Sequence, residues 1–222
     1  MAVKRIYMYT VFERIWHWVQ ALAIVFLLLS GLEIHAPETF PIFGYKDAVW
    51  IHVVLGFFLV ADAFMGLFYH LTTGEIRQYL PEPVGFLPLA VKQARYYLWG
   101  IFRGEPHPLE KTPENKLNPL QKVTYLGILT VLLPVQVVTG ILIWGAKQFP
   151  ALRDALGGLG VLVPIHALGA WLFGAFLVMH IYLTTTGVTP LANLKAMITG
   201  WETVEVHDSE LDGEEKSEGV EA

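Results

Sequence analysis

The stretch VPIHALGAWLFGAFLVMHIYLT, residues 163–184, is long and apolar enough to cross a lipid bilayer, yet it carries two histidines. A helix needs about 20 apolar residues to span the bilayer core. His166 and His180 are fourteen residues apart, and fourteen helical steps fall only about 40° short of four full turns. Both imidazoles therefore project from one face, about 21 Å apart along the axis. Ionisable side chains in a membrane are costly, so the pair indicates a functional site at two depths.

Three further apolar stretches of similar length precede this one. Together they predict an all-α membrane protein, a four-transmembrane-helix bundle. The segment Val84–Arg103 mixes bulky apolar residues with Lys92, Arg95 and Arg103, which is typical of a helix lying in the membrane interface between spans two and three. The alternative is a loop that covers the bundle. The four spans are expected at roughly Ile15–Ile34, Val49–Leu71, Leu120–Trp144 and Val163–Thr184.

Composition excludes several other classes of protein. The chain has no cysteine, which excludes c-type haem attachment, cysteine-ligated iron–sulfur clusters, thiolate zinc sites and disulfides within it. A formal net charge of −5 gives no support for nucleic-acid binding. Nine Asp/Glu and one Lys fall in residues 202–221. We therefore expect a membrane domain over residues 1–201 and an acidic, disordered cytoplasmic tail over 202–222.

The distribution of basic residues predicts the orientation. Twelve Lys and Arg residues lie on the side of the two termini and of the long loop, whereas the opposite side has only Lys46, Lys147 and Arg153. By the positive-inside rule, both termini are cytoplasmic. Basic residues precede the first span, but no small-residue cleavage site follows it, so we expect an uncleaved helix rather than a signal peptide.

This topology sorts the histidines into two pairs. His52 and His166 begin spans two and four on the outer side, and we call them the outer pair. His17 begins span one and His180 is near the end of span four, and we call them the inner pair. Two opposed imidazoles at one depth are what bis-histidine ligation of haem iron requires. His70 lies on the same face as His52, about 27 Å further inward. It is an alternative inner ligand, a quinone-site or proton-handling residue, or an interfacial histidine.

A flat macrocycle between helices also needs room, which small residues provide. Gly31 shares the face of His17 at the depth of the outer pair, and Gly56 is one turn after His52. Glycines also serve helix packing in membranes, so each is a weak signal. Asp62 lies in the middle of span two, where an acid is unusual. It is either a proton-relay group or a neutral acid that is hydrogen-bonded to a neighbouring helix.

Several segments resemble the cytochrome b subunits of membrane-bound [NiFe]-hydrogenases, formate dehydrogenases and thiosulfate reductases. They are ERIWHWVQALAIVFLLLSGLEI (13–34), HVVLGF (52–57), NPLQKVTYLGILTVLLPVQVVTGILIW (118–144), HALGAWLFGAFLVMHIYLTTTG (166–187) and LKAMITGW (194–201). The resemblance implies two b haems in a bacterial or archaeal cytoplasmic membrane. It implies that the ligands are His17, His52, His166 and His180.

The resemblance also implies a quinone site beside the inner haem, for menaquinone or ubiquinone. In formate dehydrogenases an Asn in an N-x-x-Q-K setting contacts the quinone, which corresponds here to Asn118 with Gln121 and Lys122. Asn118 is equally suited to capping a helix ahead of Pro119. Arg14 and Lys122 are candidates to neutralise haem propionates, although ordinary positive-inside residues would look the same.

These features favour an electron-transfer subunit that connects the quinone pool with a partner on the outer side, carrying iron–sulfur clusters or c-type haems. A stand-alone cytochrome b561 that acts on quinone would use the same scaffold. A histidine-lined metal-ion transporter would need acidic residues beside the histidines, and only Asp62 lies deep in a span. A plain membrane anchor would leave the stacked histidine pairs unexplained.

Overall fold

Four long helical spans dominate the fold, as the hydropathy predicts. The computed structural model describes residues 2–82, 85–105, 108, 109 and 111–206. All four expected spans are present, and each is longer than the apolar core that predicted it, the third by only one residue. Helix α1 is Val11–His35 and α2 is Tyr45–Thr73. The third span, Pro119–Trp144, consists of α4 (Pro119–Gly127), a π turn (Ile128–Leu132) and α5 (Leu133–Trp144), and the fourth span is α7 (Leu159–Thr184).

The shorter elements lie between and after the spans. A 3₁₀ turn (Glu75–Tyr79) follows α2. The segment expected to be an interfacial helix is helical from Phe86, as α3 (Phe86–Arg95), a π turn (Tyr96–Gly100) and a 3₁₀ turn (Ile101–Arg103). Its first expected residue, Val84, lies outside the described residues. Helix α6 (Pro150–Ala155) precedes α7, and α8 (Ala192–Thr199) follows it.

Local sequence signals account for where the spans begin and bend. The Thr10 hydroxyl accepts the Glu13 N–H, and the Glu13 carboxylate accepts the Thr10 N–H at 2.8 Å, which forms a capping box for α1. Pro134 in the third span has no N–H to donate to the carbonyl four residues earlier. The π turn ends at Leu132, two residues before Pro134, so the span is an interrupted helix rather than a continuous one.

The bundle is apolar outside and partly polar inside. Large apolar side chains are exposed along the spans, among them Phe64, Phe68, Trp171 and Val178. Polar groups are buried between the helices instead, among them Ser30, Glu33, Asp62, His70, Lys122 and Thr139. A soluble protein would reverse this distribution, so the surface is suited to contact with lipid chains.

Helix pairing sets the interior. Helix α1 packs along α2, and α5 packs along α7. Consecutive spans joined by a short connection run antiparallel, so the start of α1 lies beside the end of α2. The contacts of Phe12 with Tyr69 (ring centroids 4.0 Å) and of Ser30 with His52 (3.0 Å) show this arrangement at the two ends of the α1–α2 pair.

A two-stranded antiparallel sheet pairs the segment before α1 with the segment after α8, which the sequence did not predict. Strand β1 (Ala2–Tyr7) pairs with β2 (Trp201–Val206), from Ala2 opposite Val206 to Tyr7 opposite Trp201. The expectation of disorder from residue 202 is therefore wrong for residues 202–206, because their backbone groups are paired with β1. Residues 207–222 lie outside the described residues, and so does His107.

Candidate functional site

The structure brings together both histidine pairs that the depth argument predicts. In the inner pair, the ring centroids of His17 and His180 are 6.0 Å apart, with an angle of 61° between the rings. In the outer pair, His52 and His166 are 6.1 Å apart at 74°. Each pair joins two helices that are distant in sequence. Because His166 and His180 share α7, the two sites lie at different depths along one helix.

This spacing fits one metal ion between the two rings of each pair. Imidazoles that bind a metal from opposite sides, with metal–nitrogen bonds of about 2 Å, have ring centroids about 6 Å apart. Within the described chain, no three His, Asp or Glu side chains converge as a metal site would require. Two axial imidazoles without further protein ligands are suited to haem iron, whose other four ligands come from the macrocycle.

Hydroxyl groups from neighbouring helices hold both rings of the outer pair. Ser30 Oγ lies 3.0 Å from Nδ1 of His52, and Thr139 Oγ1 lies 2.9 Å from Nδ1 of His166. Each hydroxyl donates its own hydrogen to a carbonyl one turn back, of Phe26 and Val135, both at 2.7 Å. The oxygen is then left as the acceptor of an Nδ1–H, so the lone pair of each imidazole is on Nε2, the nitrogen available to iron.

Glycines let these rings approach the neighbouring helices. A Cβ at Gly31 would lie 3.1 Å from Cε1 of His52, and one at Gly140 would lie 3.2 Å from Cε1 of His166. Gly56 and Gly174 are different, because a Cβ at either would meet no heavy atom within 4 Å. Both positions are half-buried, so this open space is consistent with room for a macrocycle between the helices.

Aromatic side chains surround the inner pair. Phe176 is stacked on His180, with centroids 5.6 Å apart and 25° between the rings, and Tyr125 contacts Phe176 at 5.9 Å. These contacts connect the first turns of the third span with the inner pair. Trp18, next to His17, donates from Nε1 to the Met197 carbonyl at 3.1 Å, which ties α1 to α8. The inner imidazoles are thus held by packing.

His70 is bound within its own part of the fold rather than facing another imidazole. Its Nδ1 donates to the Gly66 carbonyl at 2.7 Å, and its Nε2 accepts from the Tyr79 hydroxyl at 3.2 Å. Burial raises the pKa of Tyr79 above its ordinary value, so the phenol remains a donor. Both ring nitrogens are engaged and His17 is the ring that faces His180, so the alternative of His70 as inner ligand gains no support.

The two cations expected near haem propionates have other partners. Arg14 donates to the carbonyls of Ile198 at 2.5 Å and Thr10 at 3.3 Å, so its guanidinium caps the last turn of α8. Lys122 is only 3% exposed and forms an ion pair with Glu82. The hydrogen bond from Lys122 holds the pKa of Glu82 below its ordinary range. These contacts favour a structural role for both cations, and they do not support the propionate prediction.

Asn118 has the capping role that was one of its two interpretations. Its side-chain oxygen accepts from the Gln121 N–H at 3.0 Å, while the Gln121 amide oxygen accepts from the Asn118 N–H at 3.0 Å. Its Nδ2 donates to the Tyr97 hydroxyl at 3.1 Å. Burial raises the pKa of Tyr97, against the opposing effect of this hydrogen bond. The cap leaves one of the two amide hydrogens for a further acceptor.

Asp62 is buried without the hydrogen bond that a neutral acid was expected to make. It is 3% exposed, and neither carboxyl oxygen has a hydrogen-bond partner among the side and main chains that the structure describes. The Trp16 indole instead donates to the Asp62 backbone carbonyl at 3.4 Å.

Sequence reasoning missed the residues that contact the outer pair. Ser30 and Thr139 each precede a glycine at the depth of the outer histidines, so the dipeptides Ser30–Gly31 and Thr139–Gly140 were an available signal. Gln136, one turn before Gly140, places its amide nitrogen 3.3 Å from Nε2 of His166. This contact would have to give way to iron, because it involves the nitrogen expected to bind the metal.

Comparisons with known proteins agree with this architecture. The family profile described as prokaryotic cytochrome b561 matches residues 8–200. YdhU of Escherichia coli K12, named as a cytochrome, is 37% identical over 203 residues, which cover 89% of this chain and 75% of YdhU. YedZ1 of Azospira oryzae, named as a protein-methionine-sulfoxide reductase subunit, is 27% identical and covers 84% and 93% of the two chains. An Azotobacter vinelandii protein named as a Ni/Fe-hydrogenase B-type cytochrome subunit is 28% identical and covers 88% of each.

Proposed function

Because this chain belongs to the prokaryotic cytochrome b561 family, we propose that it carries electrons through the membrane between two b-type haems. One haem is held by the outer pair, His52 and His166, and the other by the inner pair, His17 and His180. Membership makes the chain a multi-pass membrane protein that binds haem b and transfers electrons. The number of haems, the quinone and the partner are our proposals.

One observation carries the proposal of two haems. The ring centroids are 6.0 Å apart in the inner pair and 6.1 Å apart in the outer pair. A separation of about 6 Å is what one iron bound by two histidines requires. When bound, the haem supplies reversible one-electron chemistry at iron. The chain supplies the axial nitrogens, fixes the ring orientation, and excludes water with its apolar helices. Because His166 and His180 lie about 21 Å apart along α7, haems held at the two pairs would form a path along the bundle.

We further propose that a quinone, menaquinone or ubiquinone, exchanges electrons at the inner pair. Asn118 supports this site because it retains one amide hydrogen, which is suited to a quinone carbonyl. The contacts from Tyr125 to Phe176 and from Phe176 to His180 connect the beginning of the third span with the inner imidazoles. Gln121 and Lys122 would act indirectly, Gln121 by completing the cap and Lys122 through its ion pair with Glu82.

At the outer pair we propose contact with a partner redox subunit that carries iron–sulfur clusters or c-type haems. The relatives named as hydrogenase and reductase subunits support a complex of this kind. This chain has no cysteine to hold such centres itself. Twelve Lys and Arg residues lie on the side of the termini and three on the opposite side. This asymmetry supports cytoplasmic termini in a bacterial or archaeal cytoplasmic membrane, with the outer pair near the other surface.

Haem quantitation and reduced-minus-oxidised spectra of the purified chain test the ligand assignment. We expect about two haems per chain, and about one in His166→Ala and in His180→Ala. His70→Ala should retain both haems, because His70 faces no other imidazole. His35→Ala, at an exposed position, is the control for loss of a histidine as such. A full complement in both ligand variants would reject the proposal.

Purification from native membranes tests the partner. We expect the chain to co-purify with a redox subunit, and we expect the ratio of that subunit to the chain to stay constant when the complex is washed with salt. Quinone-dependent oxidation or reduction by the isolated chain alone, without any associated subunit, would instead identify a stand-alone cytochrome b561.

A further inference from the structure

The two histidine pairs have different surroundings, although their ring spacings are nearly equal. Both outer imidazoles contact a hydroxyl through Nδ1, at 3.0 Å for Ser30 and 2.9 Å for Thr139. Among the described residues, no side chain makes a hydrogen bond to either ring of the inner pair, and the contacts there are with Trp18 and Phe176. The difference concerns the ring nitrogen opposite the one that faces iron, so it bears on how strongly each imidazole donates electrons.

The same contact between a hydroxyl and an imidazole occurs twice at the outer pair, once between α1 and α2 and once between α5 and α7. Ser30 on α1 holds His52 of α2, and Thr139 on α5 holds His166 of α7. Each hydroxyl also donates to the carbonyl four residues earlier, and each is followed by a glycine that allows the ring to approach. Both hydroxyl residues are buried, so water does not compete for these contacts.

Hydrogen bonding at Nδ1 changes the properties of a metal-binding imidazole. A group that accepts a hydrogen bond from Nδ1–H increases the basicity of Nε2 and fixes the orientation of the ring. A more basic axial ligand stabilises ferric iron more than ferrous iron, which lowers the reduction potential. The effect acts on both axial ligands of the outer site and on neither ligand of the inner site.

We propose that Ser30 and Thr139 are positioning residues that lower the reduction potential of the outer haem relative to the inner one. The proposal rests on the proposed function, because it takes His52 and His166 as haem ligands. Its consequence is a preferred direction: an electron that enters at the outer pair reaches a site of higher potential at the inner pair. Transfer from an outer donor to a quinone at the inner side is then favoured by the protein itself.

Redox titration of the purified chain, followed in the haem absorption bands, measures the two midpoint potentials. We expect two unequal values in the wild type. Ser30→Ala and Thr139→Val should each raise the lower potential, their combination should raise it further, and the higher potential should stay unchanged. Ser30→Thr and Thr139→Ser keep the hydroxyl and should restore the wild-type value. Repeating the titration in His180→Ala, where only the outer haem is expected, assigns the shift to the outer pair.

Thr130→Val is the matched control. Thr130 lies in the same span and makes the same intrahelical hydrogen bond, to the Leu126 carbonyl at 2.6 Å, but it contacts no imidazole. We therefore expect both potentials to be unchanged in this variant. A shift in Thr130→Val as large as that in Thr139→Val would show that loss of a hydroxyl acts through the helix, and it would overturn the proposal.

Further variants keep the proposal falsifiable if the first ones lose haem. Ser30→Cys and Thr139→Cys nearly preserve size but replace the hydroxyl by a weak acceptor, so they should retain the outer haem at a raised potential. Retention at the wild-type potential would show that the hydroxyls act only by packing. Unchanged potentials in a chain that holds two haems would refute this inference alone, whereas fewer than two haems in the wild type would refute the proposed function.

Discussion

The indole of Trp16 lies against the backbone of Gly66, where a Cβ would come within 2.5 Å of the ring carbon Cζ2 and 2.9 Å of Nε1. Trp16 directly precedes His17 in α1. The close approach of α1 and α2 at Trp16 therefore determines where the His17 imidazole lies. The same indole contacts His70 at 5.2 Å, which extends the packed region toward the end of α2.

Gly66→Ala is therefore expected to displace Trp16 and weaken the inner site. A rigid indole cannot yield as a flexible side chain would, and overpacking of this kind costs about 1–3 kcal/mol. We expect a lower thermal unfolding temperature and a selective loss of the haem at the inner pair, measured by haem content and circular dichroism. Gly127→Ala is the control, because its Cβ meets nothing within 4 Å. Equal stability and haem content in the two variants would contradict this packing role.

At the outer pair the corresponding variants are Gly31→Ala and Gly140→Ala. Each added methyl group would lie 3.1–3.2 Å from Cε1 of His52 or His166, so the ring must move by a few tenths of an ångström. Because axial ligation depends on ring position, we expect a reduced content of the outer haem and an unchanged inner one. Difference spectra of the purified variants measure this. A loss confined to the inner haem would show that the assignment of depth is wrong.

Glu33 organises the connection between α1 and α2. Its two carboxylate oxygens accept the N–H groups of Phe43, at 2.7 Å, and Gly44, at 2.8 Å, and the side chain is buried. Glu33→Gln turns one acceptor into a donor facing a donor, which should destabilise the fold by about 1–3 kcal/mol. Thermal unfolding in detergent checks this, with the exposed Glu38→Gln as control. Equal unfolding temperatures for Glu33→Gln and the wild type would contradict this role of Glu33 in the connection.

The pair of Glu82 and Lys122 predicts a pH dependence of stability. The hydrogen bond from Lys122 lowers the pKa of Glu82 below its ordinary 4.5, so the folded state favours the carboxylate. The stabilisation is then fully present above pH 4.5 and is lost as the pH falls through the lower folded value. Because the Glu82 side chain is 42% exposed, solvent screening reduces the direct attraction. Protonation of Glu82 also removes the ion-pair partner of Lys122, which is buried.

Glu82→Gln tests this dependence directly. We expect its unfolding temperature to be below that of the wild type at pH 7, and the difference to narrow as the pH falls below 4.5. Unfolding followed by circular dichroism at a series of pH values measures both curves. Glu38→Gln again serves as the exposed control and should show no such convergence. A difference that is independent of pH would mean that the pair does not contribute through charge.

Much of this fold can be predicted from local sequence. The spans can be predicted because a helix in lipid must be apolar over a length set by the bilayer. The bounds were less accurate, because α2 continues to Thr73 and α1 begins at Val11, where capping rather than hydropathy decides the end. The pairing of the histidines by depth followed from topology alone, since each span must cross the same thickness.

The remaining features depend on groups that the sequence does not bring together. Residues 2–7 pair with residues 201–206, although almost the whole chain separates the two strands. No local sequence pattern predicts which strand will pair with which. Arg14 was a candidate to neutralise a haem propionate, but the end of α8 supplies an acceptor for its guanidinium. Ser30 and Thr139 are ordinary small residues of membrane helices until the rotation of each helix about its axis turns them toward His52 and His166.

The sequence by itself determined the four spans and the depth of each histidine, because helical rise and bilayer thickness relate residue number to position along the membrane normal. Only the tertiary structure decided which groups contact each imidazole, because the rotation and close approach of helices depend on side-chain packing over the whole bundle. The outer pair, held by Ser30 and Thr139, and the inner pair, packed by Phe176, therefore differ in a way that residue spacing could not show.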